Sequence, residues 1–375
     1  MEENRRIPRK LLFIPVIVIV AILVIFGVLY ALHNKSFDSY NITAERTQDD
    51  TLSYSYCAFA GNVLQYGADG AMLLSDSETV LWEASYNMSL PKVAIGSDYG
   101  VIYDRNGLSM QVFNEDEVLD VFSVDVPIVK ASVSEKGTVA AIEDDGSNTW
   151  IKYYKSNGEE IAEILTKINQ QGYPMDVAVS PDGEILAVPY LLYSGGVQVS
   201  NMCFYSFDEA GDNQTDNIVS QTEYSEDIIP DVEYIDSDTV LAFADKGFII
   251  FEGNQRPEQK KQITVKDDIV SVFHNKQYIG LMLENDSEIN PYTMKLYKMD
   301  GEEMLSQDIS FVYDEVEIVD DQISLYLREK FCVYNITGKK RFEGSYEGTP
   351  QEFFAVNSKD YITVTDEGIH WIQLK

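Results

Sequence analysis

The side chains able to do chemistry are unevenly supplied in this chain. Histidine occurs three times, at His33, His274 and His370, and cysteine three times, at Cys57, Cys203 and Cys332, whereas Asp and Glu number 62. A zinc site takes three or four converging nitrogen and sulfur ligands, and general-base catalysis by histidine needs a partner that orients the ring. His33 abuts a long apolar run, while His274 and His370 fall in strands of different kind, so each reads as a structural histidine. The cysteines are odd in number, far apart and flanked by apolar or aromatic residues. They read as buried free thiols rather than a disulfide framework, which argues against a heavily oxidising secretory origin and suits a Gram-positive bacterial surface protein.

Carboxylate pairs are frequent: Asp49-Asp50, Asp144-Asp145, Asp267-Asp268 and Asp320-Asp321. With so many acids such pairs arise by chance and mark solvated turns. The loop Asp208–Asn217 holds Asp208, Asp212 and Asp216, but a calcium loop places its oxygens at alternate positions, and a spacing of four does not match. The run Asp144-Asp145-Gly146-Ser147-Asn148-Thr149-Trp150 resembles the Asp-box of sialidase propellers. It has one residue too many before Thr-Trp, and the arginine triad of those enzymes is not identifiable, so it reads as a structural turn. No phosphate-binding glycine loop, G-x-S-x-G elbow or H-E-x-x-H occurs. No catalytic, cofactor-binding or metal-binding residue is assigned, and no cofactor is expected.

The elements that would position any site are short strands. Beyond residue 40 an apolar strand, a polar turn and a second apolar strand recur eight times: YCAFAGNVLQY (56–66), VAIGSDYGVIY (93–103), ASVSEKGTVAAI (131–142), VAVSPDGEILAV (177–188), VEYIDSDTVLAF (232–243), VSVFHNKQYIGLML (270–283), VEIVDDQISLYL (316–327) and FFAVNSKDYITV (353–364). The spacing centres near the ~40–45 residues of a four-stranded propeller blade. A second unit follows in most copies, a strand, a Gly turn and a charged strand, as in 150–165, 294–308 and 331–344. Gly158, Gly301 and Gly338 sit where its tight hairpin requires positive φ. The expected fold is all-β, an eight-bladed β-propeller over residues 40–375, with seven blades as the alternative. The last unit stops after its third strand, 369–374, and YNITAE (40–45) is left over before the first. Pairing the two would close the ring.

Residues 11–32, LLFIPVIVIVAILVIFGVLYAL, form 22 consecutive residues without a charge, long enough to cross the ~30 Å hydrocarbon core as a helix. Arg5, Arg6, Arg9 and Lys10 precede the run and Lys35 alone follows closely. The positive-inside rule then places a basic tail, 1–10, in the cytoplasm and exports the chain after a linker, 33–39. The run exceeds the apolar core of a signal peptide and lacks a small-x-small cleavage site, so it is read as an uncleaved anchor in the cell membrane.

The formal net charge is −34; beyond residue 35 the chain carries 23 basic and 60 acidic residues, a net of −37. Such a domain repels nucleic acid and anionic lipid. The repeats resemble PQQ-like repeats, and Ser180-Pro181-Asp182-Gly183 with Ile185-Leu186-Ala187 is similar to WD40- and TolB-type repeats. With its basic tail and single span, the chain resembles a membrane-anchored Gram-positive family of unknown function. Quinone enzymes of this fold use adjacent cysteines, which this chain lacks. In PQQ-like repeats each blade ends in a Trp that docks on its neighbour, and only Trp82 occupies that place here. The functional expectation is a non-enzymatic binding or scaffolding module for protein or glycan partners. The alternative is a glycan-active hydrolase or lyase with carboxylates and tyrosines in the channel. A third possibility, partnership with a membrane machine, follows from similarity to eight-bladed assembly-factor propellers.

Overall fold

A computed structural model describes residues 35–48, 51–207, 211, 215–346, 348 and 350–375. The apolar run 11–32, Asp49-Asp50, and Asp208 and Asp212 of the acidic loop lie outside these residues. Among the described residues no helix is long and apolar enough to cross a membrane.

The described chain is all β, apart from two short 3-10 turns, and forms eight four-stranded antiparallel blades. The innermost strands are Tyr54–Phe59, Pro91–Ile95, Ile128–Val133, Tyr173–Pro174 with Ala178–Val179, Asp231–Tyr234, Ile269–His274, Glu315–Val319 and Glu352–Ala355. In blade 4 that strand is broken in two, because the chain loops around Met175–Val177 before rejoining the sheet. The Cys57, Cys203 and Cys332 thiols are free, and the last two are fully buried.

Burial sets which strands alternate. Second and third strands lie inside a blade and are covered by the blades on either side. They read as unbroken apolar runs, such as Gly247–Glu252, of which only the last residue is exposed. Fourth strands form the outer wall and alternate, as in Glu160–Thr166 and Glu303–Ile309. Period-two patterning survives only where one face meets water. Blades meet through aromatic contacts: Phe204 of blade 4 packs edge-on against Phe251 of blade 5 at 5.1 Å. Trp82 ends blade 1 and reaches blade 2, 5.3 Å from Phe113, with its indole N–H donated to the Asn114 carbonyl. Burying such side chains contributes about 1.5–3 kcal/mol each. Gly158, Gly301 and Gly338 turn between third and fourth strands at φ of 83°, 73° and 81°.

Blade 8 is built from both ends of the chain. Its first three strands are Glu352–Ala355, Asp360–Thr365 and Gly368–Leu374, and its outermost strand is Tyr40–Thr47. Tyr40 pairs with Leu374, Ala44 with Trp371 and Thr47 with Gly368. The leftover N-terminal strand therefore closes the ring, as its sequence implies, and the count is eight.

Two faces follow from the meander. First-to-second and third-to-fourth turns lie on one face, here the near face. Second-to-third turns and the connections between blades lie on the other, the far face. Blade 4 has the longest hairpin, Ile185–Ser194 with Val197–Ser206, and its tip carries Tyr193, 72% exposed, on the far face.

Candidate functional site: the central channel

The eight innermost strands line a channel, and their polar side chains are the candidates for function. They divide into two lobes. The first, about 440 Å³, lies against blades 2 to 5 and is lined by Lys130, Ser132, Asp176, Asp231 and Glu233 among others. The second, about 340 Å³, lies against blades 7, 8 and 1 and is lined by Tyr56, Cys57, Glu315, Glu317, Glu352 and Phe354 among others. A smaller space of about 220 Å³ shares Glu315 and Glu352 with it and continues to Asp314, Arg328 and Pro350 at the far face.

In the first lobe Asp176 is the central group. Its side chain is 2% exposed, and Oδ1 accepts from Lys130 Nζ at 2.6 Å and from the Val177 amide at 2.7 Å. Oδ2 accepts from the Val232 amide at 3.0 Å. One carboxylate thus ties blade 4 to blades 3 and 5. Asp231 lies 3.6 Å from the same ammonium. Burial and the hydrogen bond with Asp231 push Asp176 up to about 8, while Asp231 is held low against its own burial by Asp176 and Lys130. Two acids thus meet at one lysine. Farther along the wall His274 Nε2 meets Glu233 Oε2 at 2.8 Å. Glu233 outweighs burial and raises the imidazole above its ordinary value. His274 is not the isolated histidine its sequence suggests; the carboxylate comes from the innermost strand of the preceding blade.

The second lobe holds three glutamates, and no Lys, Arg or His among its lining residues. Glu317 Oε1 accepts from the Ala355 amide at 2.6 Å and from the Tyr326 hydroxyl. Burial pushes it up to about 7 against those hydrogen bonds. Glu352 rises to about 7 through burial and then the neighbouring Glu315. Burial, reinforced by Glu352, pushes the Cys57 thiol up to about 12, so it is an unreactive thiol.

A recurring device links the lobes. A side chain on or beside one innermost strand accepts the amide of the next blade's strand: Ser132 from Val179 at 3.3 Å, Asp176 from Val232, Glu317 from Ala355. At the near face Lys276 of blade 6 reaches Ser97 of blade 2 at 3.1 Å and comes within 3.7 Å of Glu135 of blade 3. Blades 2 and 6 are opposite one another, so one side chain spans the channel there.

The described carboxylate pairs and His370 fall elsewhere. Asp144 and Asp145 cap the turn between second and third strands of blade 3 by accepting the Gly146, Ser147 and Asn148 amides. Asp320 and Asp321 form a turn in blade 7, and His370 bonds Tyr346 away from the channel. Among the described residues no group of three or more His, Cys, Asp or Glu could hold a metal ion. The converging acids Asp176, Asp231, Glu233, Glu315, Glu317 and Glu352 were not singled out. Their one signal is position: Asp176, Asp231, Glu315 and Glu352 each stand immediately before the repeated unit, and Glu233 and Glu317 at its second residue, where the adjoining copies carry Ala178, Ser271 and Phe354.

Eight four-stranded blades around a channel make this protein a β-propeller. The chain belongs to DUF5711, a family of unknown function, whose model matches residues 33–374. No curated protein matches the sequence. Among solved structures, BamB from Moraxella catarrhalis superimposes with a TM-score of 0.55 at 10% identity, covering 90% of this chain and 100% of that one. Sqt1 from Saccharomyces cerevisiae gives 0.54 at 12% identity, with 91% and 100% covered. Apo AztD from Citrobacter koseri gives 0.50 at 13% identity, with 85% and 91% covered. At such identities the likeness is one of fold, and fold alone does not assign function.

Proposed function

We propose that this chain is a binding or scaffolding module for a protein partner, held at the outer face of the cell membrane by residues 11–32. The observation that carries this reading is how the channel acids are used. Asp176 and Glu317 are engaged by backbone amides of the next blade, so the best-buried carboxylates hold the ring together. Recognition is then left to the rigid faces, whose turns the ring displays. Likeness to BamB and AztD supports the reading at the level of fold, and the charge asymmetry around residues 11–32 supports export. The test is photo-crosslinking in intact membranes from turn positions on both faces, Tyr193 and Ser97 among them. A discrete adduct confined to one face is expected; adducts from neither face would sink the proposal.

One observation favours a second reading, a glycan-active enzyme. The Glu315–Glu352 lobe joins carboxylates to the aromatic walls Tyr56 and Phe354, and Glu352 titrates near neutrality, as a general acid would. The purified chain should then release sugar products from cell-wall polysaccharide, and Glu352→Gln should abolish that. A parent chain that releases none retires this reading.

A further inference from the structure

Residues 35–39 sit where a flexible tether would be expected, and they are docked. Phe37 is 6% exposed, its amide donates to the Arg341 carbonyl at 2.7 Å, and the Arg341 guanidinium lies 4.6 Å above its ring. Arg341 Nε in turn donates to the Lys35 carbonyl at 2.8 Å. The Asp38 amide donates to the Lys375 carbonyl at 3.1 Å, and the Lys375 amide to the Ser39 carbonyl at 2.9 Å. From Lys35 onward the chain is part of blades 7 and 8.

We infer that the propeller is held against the bilayer in one orientation, with the near face of blades 7 and 8 on anionic phospholipid headgroups and the far face presented outward. This rests on the proposal that residues 11–32 span the membrane. The apolar run ends at Leu32, three residues before Lys35, and at ~3.5 Å per residue the remaining slack is about 10 Å. The side of attachment follows from the register. Tyr40 pairs with Leu374, at the end of blade 8's third strand, and Phe37 bonds Arg341, just after blade 7's third-to-fourth turn. Both mark the near face.

Charge agrees with this placement. Lys35, Lys339, Lys340, Lys359 and Lys375 are exposed around the docked segment, and the Leu374 amide donates to the Lys359 carbonyl, which ties that turn to the same corner. With Arg341 they face Asp38, Asp320, Asp321, Glu343 and Asp360, a near balance of charge in a domain of net −37 beyond residue 35. Anionic headgroups meet little repulsion at this corner and strong repulsion elsewhere. The channel end crossed by Lys276 then faces the membrane, and partners reach the far-face turns, where Tyr193 and Ile289 are 72% and 79% exposed.

The test uses the full chain in vesicles of equal parts phosphatidylcholine and phosphatidylglycerol, in a Cys57→Ala background. Single fluorophores go on Thr337→Cys at the near face of blade 7, and on Tyr193→Cys or Ile289→Cys at the far face. Nitroxide-headgroup lipid should quench the Thr337 position several-fold more than the other two, and Phe37→Ala should narrow that gap. Equal quenching in a parent chain that survives an alkaline wash of the vesicles overturns the fixed orientation and leaves the anchor intact. Stronger quenching at the far positions reverses it. A chain stripped from vesicles by the wash refutes the anchor reading itself.

Discussion

The two lobes of the channel solve the problem of buried acid in different ways. On the side of blades 3 to 5, Asp176 and Asp231 have Lys130 between them, and Asp176 also takes two backbone amides. On the side of blades 7, 8 and 1, Glu315, Glu317 and Glu352 have no cation among the residues lining their lobe. There burial pushes Glu317 and Glu352 up to about 7. The difference teaches which acids are structural: Asp176 and Glu317, which accept amides of the next blade, are fasteners, and Glu352, raised by burial and by Glu315, is left to respond to pH or ligand.

If that contrast is right, the largest loss follows from Asp176→Ala. It strands the Lys130 ammonium and the Val232 amide, and should cost about 3 kcal/mol, the low end for breaking a buried pair because Lys130 keeps some water. Chemical denaturation measures it, and Asp176→Asn should lose distinctly less. An alanine variant as stable as the parent would erase the distinction between the lobes.

Glu317→Ala should come next, at roughly 1–3 kcal/mol, since it leaves the Ala355 amide and the Tyr326 hydroxyl without their acceptor. Glu317→Gln keeps an acceptor and, in a site that favours the neutral form, should remain near the parent. Should the glutamine variant prove as damaging as alanine, the ionised carboxylate is what holds the Ala355 amide there.

The pH profile is a smaller effect and sharpens the same point. Glu352 has a folded value raised to about 7 from 4.5. Its contribution is therefore fully present below about 4.5 and is lost as pH rises through 7, because the folded state holds the proton more tightly than the unfolded chain. Melting temperature should accordingly decline across that window, and Glu352→Gln should flatten part of the decline. An unchanged slope in the variant would assign the decline to other groups.

The smallest effect belongs to Lys276, which spans the near end of the channel but is 70% exposed. An exposed contact of this kind is worth up to about 0.5 kcal/mol, so Lys276→Ala should melt almost with the parent. A loss well beyond that would make the bridge between opposite blades a third fastener.

Much of the architecture was legible along the chain. The eight paired strands, the Gly turns at 158, 301 and 338 and the docking of Trp82 on blade 2 all depend on neighbours a few residues to one blade away. Ring closure was legible too, since a unit short of one strand and a strand short of a unit can only complete each other. The break in the first strand of blade 4 was not, because VAVSPDGEILAV reads as an uninterrupted pair. Nor was the docked state of residues 35–39, since the burial of Phe37 depends on Arg341, three hundred residues away.

What the sequence by itself determined is the repeat: the succession of paired strands and the leftover strand that completes the last unit, because strand patterning and turn chemistry are local. What only the tertiary structure decided is the company each acid keeps. Asp176, Glu317 and Glu352 look like any of the 62 carboxylates in the sequence. They become distinct when the ring brings one innermost strand of each blade to a common channel. The partners that then fix charge, Lys130 and Asp231 for Asp176 and Ala355 for Glu317, come from innermost strands of other blades, at separations no local pattern encodes.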